Sequence, residues 1–291
     1  MPRATTEVLE IAYETGGPRD GPPVFLLHGW PDDVRAWRGV APALHAAGYR
    51  TIAPYLRGFG PTRFRSAQTI RDGRGVALAQ DVIDLANCLE FKTFFVVGHD
   101  WGARVAYTLA ALFPERVSRI VAIAIAYQSR GEFHVPDFAQ SRRFWYQWFM
   151  TLDAGADTVR RDPKGFARVQ WDTWSPPGWF DDAEFAETAR SFENPDWVAI
   201  TLHAYRARWL PERLDARYDA LQARLSTIET IGAPTLMLQG AADFCDAPSE
   251  SEHMERFFTG GYERILLDGV GHFPTREAPE TVAKAVIEHF T

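Results

Sequence analysis

Three residues of this 291-residue chain combine the types and settings that nucleophilic catalysis needs: Asp100, Asp243 and His272. Asp100 stands at the centre of Gly98-His99-Asp100-Trp101-Gly102, between the apolar run Phe94–Val97 and a helical pattern. A G-x-nucleophile-x-G pentamer in that setting is a sharp strand-to-helix turn that lifts its central side chain above a sheet. A carboxylate, with a reference pKa of about 3.9, is already ionised at neutral pH and needs no base to attack. Attack on an ester carbonyl would leave an anhydride, a poor intermediate. Attack on a saturated carbon leaves a stable alkyl ester, so the expected substrate offers an sp³ carbon with a strained or good leaving group. His272, oriented by Asp243, would then deprotonate a water that attacks the Asp100 carbonyl. The backbone N–H groups of Trp30 and Trp101 are the expected donors to the resulting oxyanion. Asp246 is a competing acid, and Asp243 is preferred because it lies closest to the end of its strand. His28, ahead of a wide turn, is read as support for its loop.

Those residues need elements to carry them. Val8–Tyr13, Val24–Leu27, Arg50–Ala53, Phe94–Val97, Arg119–Ile125, Thr235–Gln239 and Glu263–Leu267 read as strands. Trp37–Ala47, Val76–Leu89, the segment after the elbow to Phe113, Leu214–Ile228 and Pro279–Phe290 read as helices. Alternating strands and helices imply an α/β fold with a mostly parallel central sheet covered on both faces. Asp100, Asp243 and His272 each fall just past a strand's C-terminal end, where such sheets place their sites. Between them lies a stretch with no β run, residues 128–217. It holds seven of the ten tryptophans and expected helices at Phe138–Leu152, Pro163–Trp171, Asp182–Ser191 and Trp197–Trp209. The expected organisation is a core in two parts, 1–127 and 218–291, with 128–217 inserted as a helical cap over an apolar pocket.

Composition narrows the partners. A net charge of −7 argues against a nucleic-acid or anionic-membrane surface. The arginines at 57, 63, 65, 71 and 74 form a local cluster, read as a solvated loop. The longest apolar run, Ile120–Tyr127, is far short of the roughly 18 residues of a membrane span. No apolar signal core occurs in MPRATTEVLE, and two cysteines make no disulfide framework or metal motif. A cytoplasmic protein without metal or cofactor is expected.

The chain resembles the α/β-hydrolases along nearly its whole length and, among them, the soluble epoxide hydrolases. The residues that carry the likeness are His28-Gly29-Trp30-Pro31, the elbow pentamer, Gly240-Ala241-Ala242-Asp243 and Gly271-His272-Phe273. The chain order nucleophile, acid, histidine is that of the same superfamily. The resemblance implies two cap tyrosines that donate to the epoxide oxygen, and Tyr146 in Trp145-Tyr146-Gln147 and Tyr205 in Tyr205-Arg206 stand in matching contexts. An alkoxide leaving group needs a proton, and a phenol with a pKa near 10 can supply it. The implied partners are a small apolar epoxide, contacted by Trp30, Trp101, Tyr146 and Tyr205, and water. Two departures stand out. There is room for little more than one strand before the His28 loop, and Tyr55-Leu56 replaces an Asp that commonly precedes the R-G-x-G loop.

A dehalogenase with the same aspartate and histidine is the alternative, with Trp101 as a halide donor. A halide leaves without a proton, so the tyrosine pair favours the epoxide. A hydrolase-fold protein that only binds its ligand is the third reading. A cis Trp30–Pro31 bond is expected at the tight oxyanion loop. Which epoxide is used, and whether the chain forms a homodimer, stay open.

Overall fold

The computed structural model describes residues 1–291. Strands β1 (Arg3–Thr5), β2 (Leu9–Gly16), β3 (Pro23–Leu27), β4 (Arg50–Pro54) and β5 (Arg63–Phe64) precede β6 (Phe94–His99), β7 (Val117–Ile123), β8 (Thr235–Gly240) and β9 (Tyr262–Leu267). They form one sheet in the order β1-β2-β4-β3-β6-β7-β8-β9, with β5 paired to β2. Pairings from β4 through β3, β6, β7 and β8 to β9 are parallel, and those made by β2 are antiparallel. The central parallel strands β3, β6 and β8 are largely apolar because helices cover both of their faces, whereas the edge strand β9 fully buries only Leu267. Every residue of β8 is buried.

The helices of the first half are α1 (Ala41–Ala46), α2 (Gly75–Cys88) and α3 (Trp101–Leu112). No strand interrupts α4 (Phe138–Arg143), α5 (Trp145–Thr151), α6 (Asp153–Arg161), α7 (Pro163–Thr173), α8 (Asp182–Ala189) and α9 (Trp197–Arg206). The chain then forms α10 (Asp219–Leu225) and, after β9, α11 (Pro274–Glu277) and α12 (Pro279–Phe290). No helix is long and apolar enough to cross a membrane.

Connectivity fixes where a site can form. From β3 the chain fills β4 on one side, then returns to fill β6 on the other. Loops leaving β3 and β6 therefore diverge, and a crevice opens at their C-terminal ends. The residues there are His28–Pro31 and Gly98–Gly102.

Several elements differ from their sequence expectation. The first edge strand, β1, is present but only three residues long. The expected Trp37–Ala47 helix splits into a single 3-10 turn at Val34–Trp37, capped by Asp33, and the short α1. Pro42 sits in the first turn of α1, a position where its missing N–H costs nothing. Phe138–Leu152 breaks at Phe144 (φ −82°, ψ 21°) into α4 and α5. The polar α6 went unread because its sequence, DAGADTVRR, buries only Gly155, Ala156 and Val159. The expected Leu214–Ile228 helix starts later, after a 3-10 turn capped by Asp215.

The arginine cluster is not one solvated loop. Arg63 and Arg65 are exposed, whereas Arg57 is 1% exposed. Its guanidinium grips Asp81 with two 2.7 Å bonds and also donates to the Asp72 and Ala77 carbonyls and to the Tyr218 hydroxyl. Arg71 and Arg74 pair with Asp196 and Asp72. Sequence spacing does not reveal these partners, because Asp196 and Tyr218 lie more than a hundred residues away.

Candidate active site

Asp100 is the single residue between β6 and α3, and it adopts φ 51° and ψ −112°, a left-handed conformation rare for a residue with a Cβ. The flanking glycines make this turn possible. A Cβ on Gly98 would strike the Gly102 carbonyl, and one on Gly102 would strike the Leu27 carbonyl of β3. The Asp100 side chain thus projects over the sheet beside the loop that follows β3.

Trp30 N–H donates to Asp100 Oδ1 at 2.8 Å. The other oxygen, Oδ2, lies 3.6 Å from His272 Nε2. Trp101 is the first residue of α3, so its N–H has no acceptor within the helix. Burial alone would raise the Asp100 carboxyl, but the His272 imidazole and the Trp30 N–H outweigh it and hold the group below the usual carboxylate range. His272 Nδ1 meets Asp243 Oδ2 at 2.8 Å. Burial disfavours the imidazolium, yet the charges of Asp243 and Asp100 prevail and push it up to about 10.

Asp243 is itself fixed. Its Oδ1 accepts the N–H groups of Cys245 and Asp246, and Gln239 donates to Oδ2. The Asp246 carboxylate makes no bond to His272. Buried without a hydrogen-bond donor of its own, it is pushed up to about 7, with the Asp243 charge adding to the rise and Arg104 opposing it.

The two tyrosines converge above Asp100 from α5 and α9. Tyr146 and Tyr205 are 3% and 1% exposed, and their rings meet edge-on with centroids 5.3 Å apart. The Tyr205 hydroxyl accepts Trp101 Nε1–H at 3.0 Å, and the Tyr146 hydroxyl accepts Gln147 Nε2–H at 3.2 Å. Burial, reinforced by nearby Asp100, raises both phenols well above their usual value, so both stay protonated. Trp30 ties the layers together: its ring stacks on Tyr146 at 5.8 Å, and its Nε1–H donates to Thr201 of α9. The Trp30–Pro31 bond is cis.

The sequence pattern described as the alpha/beta hydrolase fold matches residues 22–279. The chain belongs to the α/β-hydrolase family. Over 99% of its length it is similar to a candidate epoxide hydrolase from Klebsiella pneumoniae, at 41% identity, 96% coverage of that chain and a TM-score of 0.92. It is 34% identical over 166 residues to epoxide hydrolase B of Mycobacterium tuberculosis, a match that covers 51% of this chain and 45% of that protein. That match therefore spans less than half of the relative's length. A haloalkane dehalogenase of Mycobacterium marinum is 32% identical over 217 residues, 70% of this chain and 68% of that protein.

This α/β-hydrolase holds its histidine with residues that no sequence motif singles out. The Glu277 carboxylate accepts the Gly271 and Phe273 N–H groups and the Ser175 hydroxyl. Ser175 in turn accepts the His272 N–H, and His99 Nε2–H donates to the His272 carbonyl at 2.6 Å. Trp174 packs edge-on against the imidazole, 4.9 Å between centroids. His99 could have been noticed, since it sits inside the elbow. Ser175 and Glu277 could not, because only folding brings them together.

His28 braces its loop: Nδ1–H donates to the Gly29 carbonyl, and Nε2 accepts Leu56 N–H at 3.1 Å. Burial lowers its pKa and keeps it neutral for that role. The Tyr55-Leu56 segment is thereby anchored to the loop that follows β3.

The expected apolar pocket over Asp100 is not what the α/β-hydrolase presents. Trp30, Trp101, Trp174, Tyr146 and Tyr205 fill the space around the carboxylate ring against ring. A cavity of about 340 Å³ opens beside Trp101, between α3 and the end of α9, and arginines share its lining with apolar side chains. No group of three or more His, Cys, Asp and Glu side chains is assembled to hold a metal ion.

Proposed function

We propose that the protein is an epoxide hydrolase that opens an apolar epoxide to a vicinal diol through an alkyl ester on Asp100. In this reading residues 128–217 form the cap, and 1–127 and 218–291 form the core. One observation carries the reading: two protonated phenols, Tyr146 and Tyr205, stand over a carboxylate that already has a histidine and an acid behind it. Each hydroxyl accepts an N–H from the protein; that leaves the Tyr205 proton for an incoming oxygen, while the Tyr146 hydroxyl also lies 3.7 Å from Cys245 Sγ, a weak partner that an incoming oxygen can replace. The likeness to epoxide hydrolases supports the same conclusion.

Oδ2, which no hydrogen bond holds, attacks an epoxide carbon as the C–O bond breaks. A tyrosine hydroxyl passes its proton to the departing oxygen. The ester carbonyl oxygen is then Oδ1, which already receives Trp30 N–H. Esterification removes the Asp100 charge, one of the two that raise His272, so the imidazolium passes its proton through water to the tyrosinate and is left neutral. Neutral His272 deprotonates a water, the hydroxide adds to the ester carbon, and the oxyanion rests on the N–H groups of Trp30 and Trp101. One such donor contributes about 2.7–4 kcal/mol. On collapse the departing diol oxygen takes the proton of the added hydroxyl, so the diol leaves, Asp100 is ionised again and His272 carries the proton taken from water, as at the start.

The dehalogenase relative keeps a halide leaving group as the second reading. Against it, the indole N–H groups of Trp101 and Trp30, the natural halide donors, are already bonded to Tyr205 and Thr201. Intact-protein mass spectrometry of His272→Gln after incubation with styrene oxide, and separately with 1-bromobutane, tests the choice. An adduct of the whole epoxide mass, abolished by Asp100→Asn, is the expected result. A butyl adduct with bromide release and no epoxide adduct would sink the epoxide reading.

A further inference from the structure

Arg208 lies just beyond the end of α9, three residues after Tyr205. The chain keeps a helical turn there: Arg208 N–H bonds to the Tyr205 carbonyl at 3.3 Å, and its Nε–H to the Ala204 carbonyl at 3.1 Å. Residues three apart on such a turn share a face. The guanidinium therefore folds back over the Tyr205 ring, with Cζ 4.4 Å from the centroid. Phe133 packs against the same guanidinium, also at 4.4 Å. Burial, with the like charge of Arg104 adding to it, draws Arg208 down to about 10, so it is still a cation at neutral pH.

The same side chain reaches the second phenol. It donates to Gln147 Oε1 at 3.2 Å. A guanidinium has donors only, so it fixes which end of the amide faces it. The Nε2 end is then turned to the Tyr146 hydroxyl, 3.2 Å away. One cation thus touches the ring of Tyr205 and stands one amide away from the hydroxyl of Tyr146.

Ring opening changes what this cation sees. In the resting site the negative charge sits on Asp100. As Oδ2 bonds to carbon, the C–O electron pair goes to the epoxide oxygen, that oxygen takes a phenol proton, and the O–H pair stays on the tyrosine. The charge has moved from Asp100 to a phenolate. Arg208 bonds to Ala204 and Gln147 rather than to Asp100, but it lies against Tyr205, whose oxygen also receives Trp101 Nε1–H. A cation over an aromatic face is attracted to the ring, and more strongly once the ring carries a charge. Burial and the Asp100 charge oppose a phenolate at Tyr205, and Arg208 is the strongest of the groups that favour it. An interaction that grows as the reaction proceeds lowers the barrier and does not merely tighten binding.

We infer that Arg208 is a positioning residue for epoxide opening: it stabilises Tyr205 as the phenolate left by proton transfer and, through Gln147, turns an N–H onto Tyr146. This role rests on the epoxide-opening reading.

Rapid-quench mass spectrometry with styrene oxide follows ester formation on Asp100, and its hydrolysis, in single turnovers. Arg208→Met should slow ester formation about tenfold or more and leave hydrolysis within about twofold. Arg208→Lys keeps the charge and should restore part of the rate. With Tyr205→Phe no phenolate forms there, so adding Arg208→Met should slow ester formation little further. Gln147→Met should lose its effect in the same way when Tyr146 is replaced by Phe. Arg208→Gln gives the same comparison where the methionine variant does not fold. Equal slowing of both steps, a lysine variant no better than methionine, or effects undiminished without the two hydroxyls would reduce Arg208 to packing and overturn the role. Native ester formation that Arg208→Met leaves unchanged would overturn the role alone. No ester in the native protein from styrene oxide, cyclohexene oxide or 1,2-epoxyoctane would overturn the epoxide reading and the role with it.

Discussion

His272 Nε2 stands 3.6 Å from Asp100 Oδ2 and has no hydrogen-bond partner. That distance is too long for an N–H···O bond and short enough for strong attraction between opposite charges. The resting pair is therefore an ion pair with a gap, and in the proposed mechanism the same imidazole must lose its proton before it can activate water.

The charge state of His272 should follow that of Asp100. In the native protein the imidazole is raised to about 10, so it stays protonated through neutral pH. Asp100→Asn removes one of the two anions responsible. The histidine should then titrate at lower pH, as it must in the ester intermediate. NMR titration of the imidazole nitrogens in both proteins checks this. An unchanged midpoint would rule out the proposed switch from acid to base.

Asp243 and Asp246 should separate cleanly. Asp243→Asn leaves His272 Nδ1 without its acceptor and should reduce kcat by about 10²–10⁴. Asp246→Asn touches no catalytic hydrogen bond and should keep most of the activity. Its stability effect has a defined sign. A carboxyl raised to about 7 binds its proton more tightly when folded than when unfolded. Its contribution is full below about pH 4 and lost as the pH rises through about 7. The Asn variant should gain roughly 1–3 kcal/mol over the native protein at pH 8.5, and little at pH 4, in urea unfolding.

The tyrosine pair should matter for epoxides alone. Tyr146→Phe and Tyr205→Phe should each lower kcat for ring opening by about 10–100-fold, and the double variant by far more. Hydrolysis of a preformed ester, followed in single turnovers, should change little, because the water step uses His272. Equal loss in both steps would mean that the phenols only pack the site.

Arg57 should be a stability residue. It is buried and bound bidentately to Asp81. Arg57→Met strands the Asp81 charge and should cost about 3–5 kcal/mol. Adding Asp81→Leu removes the stranded charge and should recover most of that loss. Guanidinium unfolding of both variants measures it; a double variant no better than the single would refute the account.

The grouping of Asp100, Asp243 and His272 was legible in the sequence for local reasons. The elbow needs small residues at fixed offsets from Asp100, because their neighbours are backbone atoms of Gly102 and of β3. Strands ending at residues 99 and 240 could be read from apolar runs, and chain order then marked Asp243 and His272 as partners. Tyr146 and Tyr205 needed more than pattern, since periodicity alone gives buried aromatics and no role.

Only the tertiary structure decided the rest. Arg57 looked solvated because its partners at 72, 77, 81 and 218 come from the loop before α2, from α2 and from the 3-10 turn ending at Tyr218. Ser175 and Glu277 reach the His272 loop from residues on either side of the αβ segment that follows the helices. Arg104 and Arg208 converge on Phe133 because α3 and the end of α9 flank one cavity. Local sequence determines which backbone turn is sterically allowed. Pairing of charges and the shape of empty space depend on distances between segments remote in the chain, and these exist only once the sheet order and the packing of α4 to α9 over it are set.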